Sequence, residues 1–169
     1  MSTTRTFLAR YRVRLGFVAA IGALVLAKPT MRTLALGGAI AIAGELLRVW
    51  AAGHLEKGRE VTVSGPYRLT RHPLYVGSSI MGLGFAVASN SIAAAALAAA
   101  YLALTIGAAI RSEERHLTEK FGSAYPDYRD GKQAEIARRF SGERAMRNRE
   151  YRSMAGLAAM LALLLWKAL

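Results

Sequence analysis

LYVGSSIMGLGFAVASNSIAAAALAAAYLALTIGAAI, residues 74–110, runs for 37 positions without one charged side chain. A bilayer core takes roughly 20 helical residues to cross, so this stretch is nearly long enough for two crossings. Ser89, Asn90 and Ser91, close to its middle, supply turn chemistry. The expectation is a helical hairpin through a membrane, over residues 73–88 and 92–110. Buried helices of a soluble protein would carry a polar face at this length, and these segments have none. Ten of the residues from 92 to 110 are alanine. Small side chains let helices approach closely in lipid, where packing replaces the hydrophobic drive.

Other apolar runs agree. Residues 15–27 lie between Arg14 and Lys28, residues 33–52 carry only Glu45 and Arg48, and residues 153–166 lie between Arg152 and Lys167. With the hairpin, that makes five candidate spans. The first and last are short, and flanking Arg and Lys can snorkel to make up the length. The first resembles a signal-peptide core, but residues 28–32 lack a small-residue cleavage pattern, so it reads as an anchor. The expected fold is all-α, an integral membrane helical bundle of one domain over residues 1–169. Its motif core is 61–140, and an extra apolar segment covers 153–169.

The 169 residues are 53% hydrophobic and 20% charged, with a formal net charge of +12. A basic chain invites a nucleic-acid reading. Charge placement argues against it. With the N-terminus in the cytoplasm, 20 of the 23 Lys and Arg fall on the cytoplasmic side, and Lys28, Arg32 and Lys167 on the other. That is the positive-inside pattern, and it attracts anionic lipid. The expected partners are membrane lipids and no nucleic acid. The Ala- and Arg-rich composition points to a bacterial inner membrane. The chain has no cysteine and three scattered histidines. That excludes disulfides and thiolate chemistry and gives no metal-ligand spacing.

Two segments on the cytoplasmic side carry candidate chemistry. In VTVSGPYRLTRHPLYVG, residues 61–77, an extended stretch leads to a turn at Ser64-Gly65-Pro66. Arg71, His72 and Pro73 then precede the third span. Proline suits a first helical turn and keeps the residue before it out of the α region. His72 and Arg71 are therefore expected at the membrane surface, beside a helix start whose free N–H groups suit an anionic group. As ordinary features, Arg71 is an interfacial anchor and Tyr67 and Tyr75 are belt aromatics. In RSEERHLTEKFGSAYPDYRDGKQAEIARRF, residues 111–140, Glu113 and Glu114 come within about a turn of the membrane. They can take a cation or a proton, or form i,i+4 pairs on a surface helix. Tyr125, Tyr128 and Arg129 share one helical face if Pro126 permits a helix. Glu45 and Arg48 lie inside the second span, where a charge costs on the order of 3 kcal/mol and pairs or faces a cavity.

Together the two segments resemble the isoprenylcysteine carboxyl methyltransferase and phospholipid methyltransferase superfamily. The resemblance rests on Gly65-Pro66-Tyr67, Arg71-His72-Pro73, Tyr75, Gly77, Glu113-Glu114, Leu117, Phe121-Gly122, Tyr125 and Tyr128, in order and at matching spacing. It covers about half the chain. It implies a small membrane enzyme that uses S-adenosylmethionine and a lipidic or lipophilic acceptor, either an isoprenylcysteine-like carboxylate or a phospholipid-like amine. The cofactor pocket it implies takes Tyr67, Arg71, His72, Pro73, Leu74, Tyr75, Gly77, Glu113 and Glu114. Catalytic candidates are Glu113, Glu45, and Arg138 or Arg139, either of which fits the place of a family arginine. The active site is expected to face the cytoplasm. Gly82-Leu83-Gly84 lies within a membrane helix and reads as a close-packing site, not a Rossmann turn. Other readings are a sterol-type reductase using NADPH and a non-catalytic membrane scaffold.

Overall fold

A computed structural model describes residues 16–132 and 136–169. The four N-terminal arginines of the charge count and the first residue of the first span lie outside the described residues. Among the described residues seven α-helices follow in order: α1 (Gly16–Leu26), α2 (Met31–Ala52), α3 (Pro73–Ser89), α4 (Ile92–Phe121), α5 (Ala124–Arg129), α6 (Gly142–Arg147) and α7 (Tyr151–Ala168). No strand occurs among the described residues. The helices α2 and α4 are long and apolar enough to cross a membrane, and α1 and α3 are shorter apolar helices.

Local chemistry fixes the helix ends. The α2 start is a reciprocal cap: Thr33 N donates to Thr30 Oγ1 at 3.2 Å, and Thr30 N donates to Thr33 Oγ1 at 3.0 Å. Asn90 turns the hairpin in the left-handed region at φ 46°, and Ser91 caps α4 through Ala94 N. One correction concerns α4. Residue 110 is no boundary, because the helix runs unbroken into the charged stretch as far as Phe121. Arg, Glu, Leu and Lys are strong helix formers, so leaving the apolar zone does not end the helix.

The tightest contact is α2 on α3, through small residues. A Cβ on Gly37 would overlap Ala88 and Gly84, and one on Gly84 would overlap the backbone of Ala41. A Cβ on Gly44 would come within 2.7 Å of Gly77 O. Gly84 is thus a close-packing glycine, as expected, and Gly82 faces Leu102 of α4.

Polar contacts tie both ends of the bundle. At one end Lys28 N donates to Ser89 O at 2.7 Å, and Lys167 Nζ donates to Leu24 O and Val25 O at 2.8 and 2.7 Å. At the other end the 53–72 connection, the charged half of α4, α5 and α6 gather. A helix leaves its last carbonyls without partners. Here the segment after α5 supplies them. Arg144 donates to Gly53 O at 2.6 Å, and Asn148 Nδ2 donates to Ala52 O and Leu55 O at 2.9 and 2.8 Å. Arg144 also pairs with Glu56 at 2.7 Å. The α7 helix then returns along α2.

Candidate active site

The motif turn is built around a glycine. Gly65 opens a 3-10 turn over Gly65–Arg68 at φ +58°, and the His54 ring sits 2.6 Å from where its Cβ would be. Only glycine combines that backbone with that approach. The turn buries Tyr67, and the chain then reaches His72, which precedes Pro73 at the first turn of α3.

Glu114 is the centre of the cluster. His72 Nε2 lies 3.1 Å from Glu114 Oε1, Tyr125 donates its hydroxyl to the same oxygen at 3.2 Å, and Arg71 lies 3.8 Å from it. The His72 and Tyr75 rings are 5.8 Å apart. Pro126 sits in the first turn of α5 and permits the helix. Its two tyrosines then split their work: Tyr125 holds Glu114, and Tyr128 donates to Tyr67 O at 2.6 Å. Beneath them Val61, Val63 and Tyr125 form an apolar core with Leu117 and Phe121.

Burial, followed by the charge of Glu114, pushes the Tyr125 hydroxyl up to about 12. Burial pushes Tyr128 up to about 12 as well. Tyr67 is raised by burial first and by the Glu113 charge second. All three stay protonated donors at neutral pH.

The expected site residues divide. Arg71, His72, Tyr75 and Glu114 come together. Glu113 is exposed on the next position of α4. Pro73 is buried, and Leu74 offers its carbonyl to Arg48 at 3.3 Å. Gly77 is packed against Arg48 and Gly44 O. Arg138 is engaged by Glu60 at 2.6 Å and by His54 O at 3.3 Å, and Arg139 is exposed. Neither arginine reaches His72 or Glu114.

Glu45 belongs to a second network. Arg48 Nε donates to Glu150 at 2.8 Å and lies 3.6 Å from Glu45 Oε2, which also accepts from Ser153 Oγ at 2.7 Å. The expected Glu45–Arg48 pair exists, with Glu150 as the shorter partner. Sequence reasoning passed over Glu150 and Ser153. Their one signal is a carboxylate and a hydroxyl just where the last apolar run begins. Among the described residues no three His, Asp or Glu side chains gather as a metal would require.

Comparison with known proteins bears on this geometry. The phospholipid methyltransferase family profile matches residues 15–124. The chain belongs to that family. Two curated relatives are similar. The cobalt-zinc-cadmium resistance protein CzcN of Cupriavidus metallidurans is 39% identical over 114 residues, 66% of this chain and 47% of its own length. The nickel-cobalt-cadmium resistance protein NccN of Alcaligenes xylosoxydans xylosoxydans is 37% identical over 83 residues, 48% of this chain and 38% of its own length. The aligned part of the chain spans less than half of each relative. No solved structure matches. Family membership and the apolar helices make this a helical membrane protein related to phospholipid methyltransferases.

Proposed function

We propose that the protein transfers a methyl group from S-adenosylmethionine to a lipidic or lipophilic acceptor at the cytoplasmic face of a membrane. The supporting observation is the state of Glu114. Its contacts with His72, Tyr125 and Arg71 all use Oε1, and the carboxylate held from three sides remains one-third exposed (33%). A cofactor carrying a sulfonium, an ammonium and a carboxylate fits this set. Glu114 answers the positive groups, and the half-exposed Arg71 answers the carboxylate. S-adenosylmethionine, when bound, supplies an electrophilic methyl on a cationic sulfur.

The residues do the positioning. His72 and Tyr125 fix the Glu114 carboxylate, and the Tyr67–Tyr128 bond holds the motif turn against α5. Donor and acceptor gain most from orientation and from exclusion of water. A carboxylate acceptor needs no base. An amine acceptor must lose a proton, and Glu113 or Glu45 would take it.

The same reading puts five helices across the membrane, with the N-terminus and the active site on the cytoplasmic side of a bacterial inner membrane. It is supported by the gathering of Lys28, Arg32 and Lys167 at one end of the bundle, while the other described cations lie toward or beyond the opposite end. The relatives' names raise direct binding of divalent cations as a second question, and the donor set among the described residues does not favour it.

The test is calorimetric titration of purified protein with S-adenosylhomocysteine, beside NADPH. Saturable binding, weakened by His72→Ala and by Glu114→Gln, is the expected result. Binding of NADPH alone, or of neither by folded protein, would overturn the reading.

A further inference from the structure

Two neighbours hold the Gly65–Arg68 turn, and one of them is no part of the motif. Tyr128 of α5 donates to Tyr67 O at 2.6 Å. The other neighbour is His54, just past the end of α2 and buried. A Cβ on Gly65 would lie 2.6 Å from His54 Cγ and 2.7 Å from its Cδ2 and Nδ1. The turn therefore rests on the root of the imidazole. That ring is itself fixed. Its Nδ1 donates to Trp50 O at 3.0 Å, since a carbonyl can only accept. The Trp50 and Phe140 rings each pack against it at 6.2 Å between centroids.

The backbone that carries His54 is clamped by a strap, residues 138–148, lying past residue 124 where the family match ends. Four consecutive carbonyls accept from it. Asn148 Nδ2 donates to Ala52 O at 2.9 Å and to Leu55 O at 2.8 Å. Ser141 N and Arg144 Nη1 donate to Gly53 O at 3.1 and 2.6 Å. Arg138 Nη1 donates to His54 O at 3.3 Å. Capping the end of α2 accounts for Ala52 and Gly53. His54 and Leu55 lie beyond the helix, so capping does not account for them. The ion pairs of Arg144 with Glu56 and of Arg138 with Glu60, at 2.7 and 2.6 Å, tie the strap to the connection that leads to the turn.

The turn continues into the Glu114 cluster. Thr70 N closes it on Pro66 O at 3.1 Å, and Thr70 Oγ1 accepts from His72 N at 3.4 Å. We propose that His54 is a positioning residue. The strap immobilises its ring as the seat of the Gly65 turn, and the turn sets where His72 meets Glu114. That this governs cofactor binding rests on the methyltransferase reading. The seating of the turn does not.

The experiment is hydrogen–deuterium exchange of the full chain in phosphatidylcholine nanodiscs, read by mass spectrometry. Tyr67 N bonds to Ser64 O, and Leu69 N and Thr70 N to Pro66 O, so their exchange reports the turn. His54→Ala should speed it by at least about tenfold, while the hairpin turn at Asn90 exchanges as before. Asparagine supplies a planar Cγ with two substituents in place of Cγ, Cδ2 and Nδ1, and an amide N–H in place of the Nδ1 donor. His54→Asn should therefore return the turn to within about threefold of the wild type. Asn148→Ala, whose lost bonds run to Ala52 and Leu55, should also speed the turn. Unchanged exchange in His54→Ala or in Asn148→Ala, an equal rise at Asn90, or failure of asparagine to rescue would overturn the proposal.

Titration with S-adenosylhomocysteine in the same nanodiscs separates the two claims. Affinity should fall by about tenfold in His54→Ala and recover in His54→Asn. Undiminished binding by His54→Ala would overturn the positioning role. No binding by a wild-type chain whose exchange follows the expected pattern would sink the methyltransferase reading and leave the seating of the turn standing.

Discussion

Arg48 of α2 donates to Glu150 across 102 positions of chain, at 2.8 Å. The contact joins the second helix to the segment that launches the last one, and both side chains are mostly buried. Removing one member of a buried pair strands the other, typically at a cost of 3–5 kcal/mol. Arg48→Ala, which leaves the buried Glu45 and Glu150 without their cation, should therefore lower stability by about that amount in a denaturant titration. A loss below about 1 kcal/mol would show that the pair is solvated and structurally idle.

At the candidate site the effects of Tyr125 and of Glu114 itself should separate. Tyr125→Phe deletes one hydrogen bond to a carboxylate that His72 still holds. A bond to a charged group is worth about 1.5 kcal/mol at the lower end, or roughly tenfold. Weakening of S-adenosylhomocysteine binding by that factor is expected, with a larger loss for Glu114→Gln. Equal losses in both variants would mean that Tyr125, and not the carboxylate, makes the contact.

The raised tyrosines give an alkaline signature. Tyr125 and Tyr128 ionise near 12 when folded, against an ordinary value near 10. Below about 10 both are protonated in the folded and unfolded chain, and their contribution to stability is fully present. Above it the unfolded chain ionises first, so that contribution is lost as pH climbs from about 10 to about 12. Near-ultraviolet tyrosinate absorbance should show three delayed tyrosines, Tyr67 with these two, and all three should titrate normally once the chain is unfolded.

Glycine substitutions should sort by what faces them. Gly37→Ala and Gly84→Ala drive a methyl into the α2–α3 backbones, and overpacking of this kind costs about 1–3 kcal/mol. Gly142→Ala meets open space and should be nearly silent. Unfolding midpoints of the three variants check the order.

The legible parts of the molecule were those written as pattern. An uncharged run of 37 residues between charged flanks states its own environment, and a glycine before proline and tyrosine states a turn. His72 and Glu114 could be assigned to one site because spacing and a family resemblance put both at the same membrane face. The clamp of Arg144 and Asn148 on the end of α2 was not legible. Nor was Glu150. A polar contact across about a hundred residues has no period, and an arginine that satisfies a carbonyl reads in sequence like any other basic residue. The length of α4 was misjudged for a related reason: charge marks the edge of the lipid, but the backbone follows helix propensity across it.

The family match ends at residue 124, and the molecule does not. Ser153, Gly156, Leu161 and Leu164 of α7 form one side of a cavity among α1, α2, α3 and α4, while Arg144 and Asn148 close the end of α2. The matched segment and the packed molecule thus have different borders. A substitution in α7 can reshape that cavity while every matched residue, His72 and Glu114 among them, keeps its neighbours.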